Sequence, residues 1–344
     1  MNDLLKLGVV GLRNIGKGHV RRCLDLPHAN VIAVADARED RLAEACEEFG
    51  DVEGYADAAN LIARDDLDGV VLAVPNHVHA PLSIVAMEAG KHVLVEKPIS
   101  VTSSEAREMI AARDQNERVL MVGMNRRFSP KVYAIRKLLD SGEFGQVYYA
   151  KTRWNRRRLT DVLWERGDWF LSKKLSGGGP LIDLGVHMMD LVWHLMGAPD
   201  PASAAAVQFT GKGSREGKKL GRSYRMEDFI GGLIRFEDGR ALHIESAFFS
   251  SEREEVTDLT LYGEYGGITM SGREWSVFRT EGEEVEDIDL PPDPEAPRSS
   301  VEHFVNVLTG KEDLSSTPEQ GLQVMQMVEA LYASADAGTC IYLG

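Results

Sequence analysis

Short apolar runs alternate with amphipathic segments through the first third of the chain. The apolar runs predict buried strands at residues 5–10, 31–35, 69–74, 92–95 and 119–123. The segments between them predict helices at residues 38–49, 56–63 and 81–89, and one more after Thr102. Alternation at these lengths implies right-handed parallel crossovers. We therefore predict an α/β fold with a doubly wound, Rossmann-type parallel sheet for residues 1–124.

From about Asn125 the pattern changes to strands separated by turn signals such as Glu237-Asp238-Gly239. Strands are predicted at residues 145–154, 203–210, 229–236, 240–246, 257–263 and 267–271. Helices are predicted at residues 130–139, from Ser299 through Leu308, and at 317–336. Short turns between consecutive strands favour antiparallel pairing. Residues 125–316 are therefore predicted to form an α+β domain with a large, mostly antiparallel, open-faced sheet.

One stretch combines an irregular helix start with a polar stripe. It reads Gly177-Gly178-Gly179-Pro180-Leu181-Ile182-Asp183-Leu184-Gly185-Val186-His187-Met188-Met189-Asp190. Proline suits the first turn of a helix, and apolar residues from Leu184 onwards share one helical face. Asp183 and His187 lie one turn apart, so the carboxylate can hold the imidazole and the pair is equipped to move a proton. The alternative is a buried helix whose polar residues are satisfied structurally.

The turn after the first predicted strand has the frame of a dinucleotide fingerprint. It reads Gly11-Leu12-Arg13-Asn14-Ile15-Gly16. The first glycine permits a tight turn, the last permits close helix–strand packing, and the helix N-terminus faces the pyrophosphate. Arg13 replaces the middle glycine. Its side chain either hinders the approach of the pyrophosphate or contributes a guanidinium to it.

The second predicted strand ends in Asp36, at the position where an acid accepts hydrogen bonds from the adenosine ribose hydroxyls. This acid repels a 2′-phosphate and favours NAD, whereas Arg38 could accommodate the phosphate of NADP. Asp36 could also cap a helix ahead of Glu39, at capping-box spacing. Further candidates follow later strands of the sheet, because ligands bind at the carboxyl ends of parallel strands. These are Pro75, Asn76, His77 and His79, then Glu96, Lys97 and Pro98.

Composition narrows the class of protein. Hydrophobic residues make up 43% of the 344 residues and charged residues 27%, which predicts a well-buried globular core. The net charge of −15 argues against nucleic-acid and anionic membrane partners. Three cysteines without metal-ligand spacing, and a start without signal-peptide character, predict a cytoplasmic protein. Asp183, His187 and Asp190 have a spacing compatible with a metal, but no separate cysteine or histidine pair supports one, so no metal is predicted.

Three motifs in this order resemble the glucose–fructose oxidoreductase / inositol dehydrogenase family, Gfo/Idh/MocA. They are Pro-Asn-x-x-His followed by Gly90-Lys91-His92-Val93-Leu94-Val95-Glu96-Lys97-Pro98, then Asn125-Arg126-Arg127-Phe128, then the stretch from Gly177 to Asp190. The resemblance covers essentially the whole chain. It implies NAD or NADP as cofactor and a carbinol of a sugar, inositol or sugar derivative as substrate.

Carried over residue by residue, the resemblance places Lys97, Asp183 and His187 in the catalytic cluster. The cofactor-binding residues expected from the fingerprint and the strand ends are Gly11, Arg13, Asn14, Ile15, Gly16, Asp36, Arg38, Pro75, Asn76, His79, Glu96 and Lys97. The resemblance also implies that helix 317–336 packs back on the first domain. It implies, too, that the open sheet face joins subunits into a homodimer or homotetramer.

Arginines and tryptophans cluster after the strand at 145–154. Arginine can grip a carboxylate or phosphate, and tryptophan can stack on a sugar ring. The predicted substrate contacts are Arg127, Trp154, Arg156, Arg157 and Arg158, together with Asp183 and His187. Trp164 and Trp169 lie nearby in the sequence. The alternative is a solvated basic loop with aromatic residues in packing roles.

The function predicted from these observations is NAD(P)-dependent hydride transfer between nicotinamide and a sugar-like carbinol. Two other functions are compatible with the same fold. One is a redox-assisted glycosidase, in which bound NAD oxidises the sugar transiently before the glycosidic bond breaks. The other is a non-catalytic regulator that senses a nucleotide, although Lys97, Asp183 and His187 together argue against it.

Overall fold

A computed structural model describes residues 4–158 and 165–343. The chain divides into two compact units. The first consists of Met1–Phe128 with Pro297–Leu322, and the second of Ser129–Ala296 with Gln323–Gly344. None of the helices in the described ranges is long and apolar enough to cross a membrane.

Strands and helices alternate at first and strands dominate later. The strands are β1 (Leu5–Val10), β2 (Ala29–Ala35), β3 (Glu53–Tyr55), β4 (Gly69–Leu72), β5 (His92–Glu96), β6 (Leu120–Gly123), β7 (Val147–Asn155), β8 (Pro201–Phe209), β9 (Phe229–Phe236), β10 (Ala241–Ala247), β11 (Val256–Gly263), β12 (Gly266–Ser271), β13 (Glu274–Glu281), β14 (Glu284–Asp287) and β15 (Ile341–Tyr342). The helices are α1 (Asn14–Leu24), α2 (Glu39–Phe49), α3 (Ala58–Ile62), α4 (Asn76–Glu88), α5 (Ser103–Asn116), α6 (Pro130–Asp140), α7 (Lys173–Ser176), α8 (Val186–Leu195), α9 (Lys212–Lys219), α10 (Ser300–Leu308) and α11 (Pro318–Ala337). A 3₁₀ turn covers Asn125–Arg127, and a π-helical turn, Leu181–Gly185, leads directly into α8.

The first unit contains a six-stranded parallel sheet in the order β3-β2-β1-β4-β5-β6. This is the doubly wound order, in which the chain reverses direction across the sheet between β1 and β4. Strands β4 and β6 are buried along their whole length, as their apolar sequences predict. The predicted Rossmann sheet is therefore confirmed. The short strand β3 was not predicted, because Glu53–Tyr55 has no apolar run.

The start of α4 corrects a sequence prediction. The helix begins at Asn76, with Pro75 as its N-cap, and Pro81 lies inside it. The prediction placed the start at Pro81 because proline is favoured in a first turn. Starting at Asn76 puts Asn76 and His77 in the first turn, directly after β4. The carboxyl end of that strand is therefore followed by helical N–H groups, with no long loop between them.

The second unit contains a nine-stranded sheet in the order β14-β13-β12-β11-β7-β10-β9-β8-β15. All neighbouring strands pair antiparallel except β7 and β10, which pair parallel. Side chains alternate between a buried apolar face and a more exposed polar face. On β7 and β10, for example, Ala150 and Ile244 are buried, whereas Lys151 is exposed and Glu245 is half-buried. This confirms the predicted α+β domain with a mostly antiparallel, open-faced sheet.

Strands β13 and β14 and helix α9 were not predicted. The four residues of β14 are all exposed, and most of β13 is exposed or half-buried. Such edge strands need no apolar run, because they bury little side-chain surface and are held by backbone pairing to β12. Helix α9 is rich in lysine and glycine, so its sequence has no apolar stripe that would indicate a helix.

The division into units differs from the predicted one at the C-terminal helix. Only the first residues of α11 belong to the first unit, and the helix from Gln323 onwards belongs to the second. Ser334 accepts a hydrogen bond from the backbone of Ala206 at 2.9 Å, and Gln208 donates to Asp336 at 2.6 Å. These contacts attach the end of α11 to β8 of the large sheet. The prediction that helix 317–336 packs on the first domain therefore holds for only its first turn.

Candidate active site

The turn between β1 and α1 is shaped by two glycines. Gly11 has φ +91°, and a Cβ there would lie 2.3 Å from the carbonyl oxygen of Ala73. A Cβ on Gly16 would lie 1.7 Å from the carbonyl oxygen of Gly11. Both positions therefore require glycine, the first for the left-handed backbone and the second for close approach of the helix. This is the geometry predicted for the dinucleotide turn.

Arg13 fits this turn although it replaces the middle glycine of the fingerprint. Its backbone has φ −73° and ψ −175°, an extended conformation open to any residue. Arg13, Asn14 and Ile15 are all exposed, and α1 begins at Asn14 without an acidic residue in its first turn. The first backbone N–H groups of a helix favour an anion. Arg13 adds a positive charge at this helix N-terminus, so the turn suits the pyrophosphate of a dinucleotide.

Asp36 follows β2 and contacts the same turn between β1 and α1. Its Oδ2 accepts a hydrogen bond from the backbone N–H of Leu12 at 2.8 Å, and its Oδ1 accepts one from the backbone N–H of Arg38 at 2.9 Å. The helix α2 begins at Glu39 with Arg38 as N-cap, so the interpretation of Asp36 as a helix cap is wrong. Arg38 pairs through two hydrogen bonds with Asp40. A 2′-phosphate would have to compete with Asp40 for Arg38 and would meet the charge of Asp36.

The end of β5 is anchored by a buried polar network around Glu96. The Glu96 Oε1 atom lies 2.7 Å from His19 Nε2 and accepts a hydrogen bond from Asn125 at 3.0 Å. Ser300 in turn donates to Asn125 at 2.6 Å. Burial alone raises the pKa of the Glu96 carboxyl. The hydrogen bond and charge of His19, the charge of Lys97 and the Asn125 amide outweigh it and hold this pKa below its ordinary value.

This network gives Glu96 a role that the sequence did not indicate. The carboxylate was predicted to bind the cofactor, but its contacts tie β5 to α1 and to the 3₁₀ turn at Asn125–Arg127. His19, Asn125 and Ser300 were not predicted as partners. Their separation from Glu96 in the chain is too large for a local pattern to show. Glu96 therefore helps to fix the strand end that carries Lys97.

The surroundings of His79 differ from those expected of a cofactor-binding side chain. It is 1% exposed, with Nδ1 2.7 Å from the carbonyl oxygen of Pro98 and Nε2 2.9 Å from that of Val74. Burial lowers the pKa of its imidazole, although the two carbonyls and the charge of Glu96 oppose this shift. His79 thus holds the ends of β4 and β5 together. The predicted contact with the cofactor is replaced by this bracing role, because both ring nitrogens face protein carbonyls.

Lys97 follows β5 and is partly exposed, whereas residues 93–96 and 98–100 are buried. Its backbone N–H donates to Glu96 Oε2 at 3.3 Å, and the Lys97–Pro98 peptide bond is cis. The strand end is therefore held on both sides, by the Glu96 network and by the Pro98 carbonyl on His79. This arrangement presents an ammonium group at the carboxyl edge of the parallel sheet.

In the second unit, Asp183 and His187 lie on one continuous helical segment. Asp183 belongs to the π-helical turn Leu181–Gly185, and His187 to the first turn of α8. Of residues 181–190, all of which are described, only His187 is partly exposed. Single π-helical turns within helices often mark functional sites. The segment therefore presents one imidazole to solvent from an otherwise buried helix.

His187 and Asp183 each contact a side chain from another segment. The His187 ring is 5.8 Å from the Trp154 ring, centroid to centroid. Asp183 Oδ1 accepts a hydrogen bond from Arg166 Nη1 at 2.7 Å, and the Arg166 guanidinium carbon lies 4.5 Å from the centre of the Phe170 ring. Arg166 was not predicted as a site residue. No motif contains it, and only the fold brings it to Asp183.

The three consecutive arginines have different surroundings. Arg156 lies over the Trp154 ring at 5.6 Å and pairs with Glu255. Arg157 and Arg158 line a surface cavity of about 400 Å³ with Arg253, Glu254 and Glu255. Only Arg156 is thus brought to the Trp154–His187 pair by a direct contact. Trp164, which the sequence placed nearby, lies outside the described residues.

Arg127 was predicted to contact substrate, but it is 1% exposed. Its Nη1 donates to the carbonyl oxygen of Ser315 at 2.9 Å and to Gln320 at 2.5 Å. A buried guanidinium with these acceptors braces the start of α11. The prediction of a substrate contact is therefore wrong for this residue.

A doubly wound sheet with a glycine turn that requires both glycines, and with an acid after its second strand, defines a dinucleotide-binding protein. The partly exposed lysine and imidazole add groups that can act on an alcohol. Features of this kind are typical of nicotinamide-dependent oxidoreductases.

The chain belongs to the Gfo/Idh/MocA oxidoreductase family. Residues 5–124 match its NAD-binding Rossmann-fold domain, and residues 136–343 match its C-terminal alpha/beta domain. The chain is 28% identical to the D-glucoside 3-dehydrogenase of Escherichia coli K12, over 98% of this chain and 97% of that protein. It is 26% identical to the levoglucosan dehydrogenase of Pseudarthrobacter phenanthrenivorans, over 78% of this chain and 73% of that protein.

A solved structure of a levoglucosan dehydrogenase with NADH and levoglucosan has the same fold. It superposes with a TM-score of 0.86 at 23% identity and covers 99% of both chains. These similarities confirm the family and the NAD-binding Rossmann domain predicted from the sequence. The enzyme class, an oxidoreductase that acts on CH–OH groups, is confirmed as well.

Proposed function

We propose that this protein is an NAD-dependent dehydrogenase that oxidises one ring carbinol of a glycoside or a closely related sugar. The observation that carries the proposal is the single partly exposed imidazole of residues 181–190, beside an indole ring. A base next to an aromatic face suits a carbinol on a sugar ring, because tryptophan packs against the apolar side of such rings. The full-length similarity to a D-glucoside 3-dehydrogenase supports the substrate class.

The roles of the three catalytic candidates follow from their chemistry. His187 accepts the proton of the reacting hydroxyl as general base. Asp183, held by Arg166, carries a fixed negative charge one turn before His187 and orients the hydroxyl and the imidazole. Lys97 donates a hydrogen bond to the oxygen as negative charge develops on it, which stabilises the transition state electrostatically.

The proposed step transfers one hydride and one proton. Bound NAD supplies the hydride acceptor for the carbinol hydrogen. The hydroxyl proton goes to His187, and the carbinol becomes a ketone. On the first unit, Gly11, Gly16 and the N-terminus of α1 would hold the pyrophosphate, and Asp36 the adenosine ribose. The glycosidase and the regulator gain no support from the relatives named above.

We also propose that the protein is a cytoplasmic homo-oligomer, a dimer or tetramer joined through the open face of the large sheet. The polar face of β7 and β10 carries charged side chains such as Lys151, Arg153 and Glu245, which could pair across subunits. All three cysteines are free thiols, which suits a reducing compartment. Sedimentation velocity of the purified protein measures the oligomeric state, and a monomer at all concentrations would contradict the proposed interface.

The test of the proposed reaction is a substrate panel with purified protein. Absorbance of the reduced cofactor is followed with NAD or NADP against glucosides, anhydrosugars, aldoses and inositols. We expect reduction of NAD with glycosides or anhydrosugars, and a ketone product identified by mass spectrometry. Tight NAD binding by calorimetry without turnover on any polyol would overturn the dehydrogenase assignment. Release of an aglycone without net NADH would instead indicate the redox-assisted glycosidase.

The cofactor preference depends on Asp36. An Asp36→Asn variant keeps one oxygen for the Leu12 N–H but loses the charge that favours ribose hydroxyls and repels a 2′-phosphate. We expect kcat/KM for NAD to fall on the order of tenfold, as loss of a charged hydrogen bond implies, and the ratio of NADP to NAD use to rise. The matched control is Asp51→Asn, which removes the same charge from an exposed position of the first unit. If the ratio of NADP to NAD use were unchanged in Asp36→Asn, Asp36 would not discriminate between the ribose hydroxyls and a 2′-phosphate.

A further inference from the structure

A buried carboxylate lies against the Gly177-Gly178-Gly179 loop that precedes the π-helical turn. Glu227 is 2% exposed. Both of its carboxylate oxygens lie 3.1 Å from the backbone nitrogen of Gly179, and Oε1 also accepts from the N–H of Leu181 at 3.3 Å. The hydroxyl of Tyr332 donates to the same Oε1 at 2.6 Å. A carboxylate buried this deeply is costly unless donors surround it, and here it has three.

The glycines of the loop are explained by the same two side chains. A Cβ on Gly178 would lie 2.0 Å from the hydroxyl oxygen of Tyr332, and one on Gly179 would lie 2.9 Å from the carbonyl oxygen of Glu227. Gly178 also has φ +158°, and Gly177 ends α7 with φ +89°. The loop backbone is therefore packed directly on Glu227 and Tyr332, with no side chain between them. The sequence showed an irregular helix entry but not what it rests against.

The contact is transmitted to Asp183 through one residue, Gly179. The N–H of Gly179 bonds to Glu227, and the carbonyl of Gly179 accepts from the N–H of Asp183 at 3.1 Å. On the other side of the turn, Ser246 donates to the carbonyl of Pro180 at 2.9 Å. Leu181, whose N–H also bonds to Glu227, is the first residue of the π-helical turn. Asp183 is therefore placed by backbone groups that Glu227 and Ser246 hold.

The charge of Glu227 suits this task. Free N–H groups at the start of a helical segment favour a negative partner. Burial raises the pKa of the Glu227 carboxyl, while the Tyr332 hydroxyl and the N–H groups of Leu181 and Gly179 oppose that rise. Tyr332 also fixes the carboxylate from α11, the helix whose end lies on the large sheet. The cluster forms a rigid support for the first turn of the catalytic segment.

We propose that Glu227 is a positioning residue for the reaction, which sets the place of Asp183 and His187 through the backbone of Gly179 and Leu181. Tyr332 holds the Glu227 carboxylate in that role. The inference rests on the proposed function, because it concerns the rate of the same hydride transfer. Neither residue touches substrate or cofactor in this proposal.

The test compares Glu227→Gln with a matched control, Asp228→Asn. Asp228 is the next residue and is fully buried, but its carboxylate accepts from the N–H groups of Lys212 and Gly213 at the start of α9. Both variants replace a buried carboxylate by its amide. In Glu227→Gln, an amide nitrogen in the place of Oε2 meets the N–H of Gly179 and cannot accept from it, and in the place of Oε1 it meets all three donors, so the contact with Gly179 is weakened in either orientation.

We expect Glu227→Gln to lower kcat on the order of tenfold or more, since small displacements of catalytic groups are costly, with NAD binding unchanged. With substrate deuterated at the reacting carbon, the isotope effect on kcat should rise, because hydride transfer becomes slower than product release. Asp228→Asn should lower the melting temperature but leave kcat, measured well below melting, within about twofold. Tyr332→Phe removes only one hydrogen bond and should lower kcat on the order of fivefold.

The outcomes separate the two proposals. Wild-type enzyme without turnover on any sugar overturns the proposed function and this inference with it. Wild-type turnover with an unchanged kcat and isotope effect in folded Glu227→Gln overturns the positioning role alone. An equal loss of kcat in Asp228→Asn would show that the effect is general destabilisation. If Glu227→Gln does not fold, Tyr332→Phe decides, and a wild-type kcat there overturns the inference.

Discussion

Replacing His187 with asparagine is expected to lower kcat by a factor on the order of 10² to 10⁴, because asparagine cannot accept the hydroxyl proton. His187 is the only partly exposed residue of 181–190, and its ring lies 5.8 Å from that of Trp154. Asparagine keeps a polar group of similar reach at this position, so the fold should persist. Steady-state formation of NADH with the sugar identified by the substrate panel measures the loss.

A suitable control is His194→Asn. His194 lies further along the same helix as His187 and is partly buried. Its replacement should leave kcat within about twofold, as for most substitutions away from the chemistry. Calorimetry should show the same affinity for NAD in both variants. A His187→Asn enzyme with wild-type turnover would remove the imidazole from proton transfer, and a base elsewhere would have to be sought.

Replacing Lys97 with methionine is expected to lower kcat on the order of 10² to 10³, the usual cost of losing one donor to a developing oxyanion. Methionine keeps an unbranched side chain that is shorter by only the terminal atom, and it removes the charge. We expect this variant to fold, because other residues anchor the end of β5. Glu96 is held there by His19 and Asn125, and His79 contacts the carbonyl of Pro98. The quantity to measure is kcat at saturating NAD and sugar, together with the affinity for NAD.

The matched control for Lys97 is Lys6→Met. Lys6 is exposed and lies in β1, at the opposite end of the sheet from the carboxyl end of β5. Its replacement should change kcat by no more than about twofold. If Lys97→Met lost affinity for NAD but kept its kcat, the ammonium would serve cofactor binding and not the stabilisation of the alkoxide.

The Rossmann unit was predictable because its signals are local. Buried parallel strands read as apolar runs, and some helix starts carry a side-chain cap. Thr102 accepts from the N–H of Glu105, and Ser299 from that of Glu302, at 3.2 Å in both cases, which is the cap that a threonine or serine three residues before a glutamate favours. The glycines of the dinucleotide turn could also be identified from the sequence, because both lie within the short stretch from Gly11 to Gly16.

The supports of the candidate site could not be predicted, because they join distant parts of the chain. Arg166 reaches Asp183, and Glu227 reaches Gly179, without any local pattern that marks either residue. The burial of Arg127 was likewise invisible, since its acceptors at Ser315 and Gln320 come from the end of the sequence. A motif identifies the residues that carry the chemistry, whereas tertiary contacts decide which of the neighbouring polar residues hold them in place.

The packing of the glycine loop has a consequence for the evolution of this protein. A side chain at Gly178 would collide with the hydroxyl of Tyr332, and one at Gly179 would crowd both the backbone carbonyl and the carboxylate of Glu227. A single substitution at any one of these four positions therefore leaves either a collision or a buried polar group without its partner. We therefore expect substitutions at these four positions to be rare and, where they occur, to accompany one another. Such linked inheritance would make the set a marker for relatives that have kept the same packing of the glycine loop.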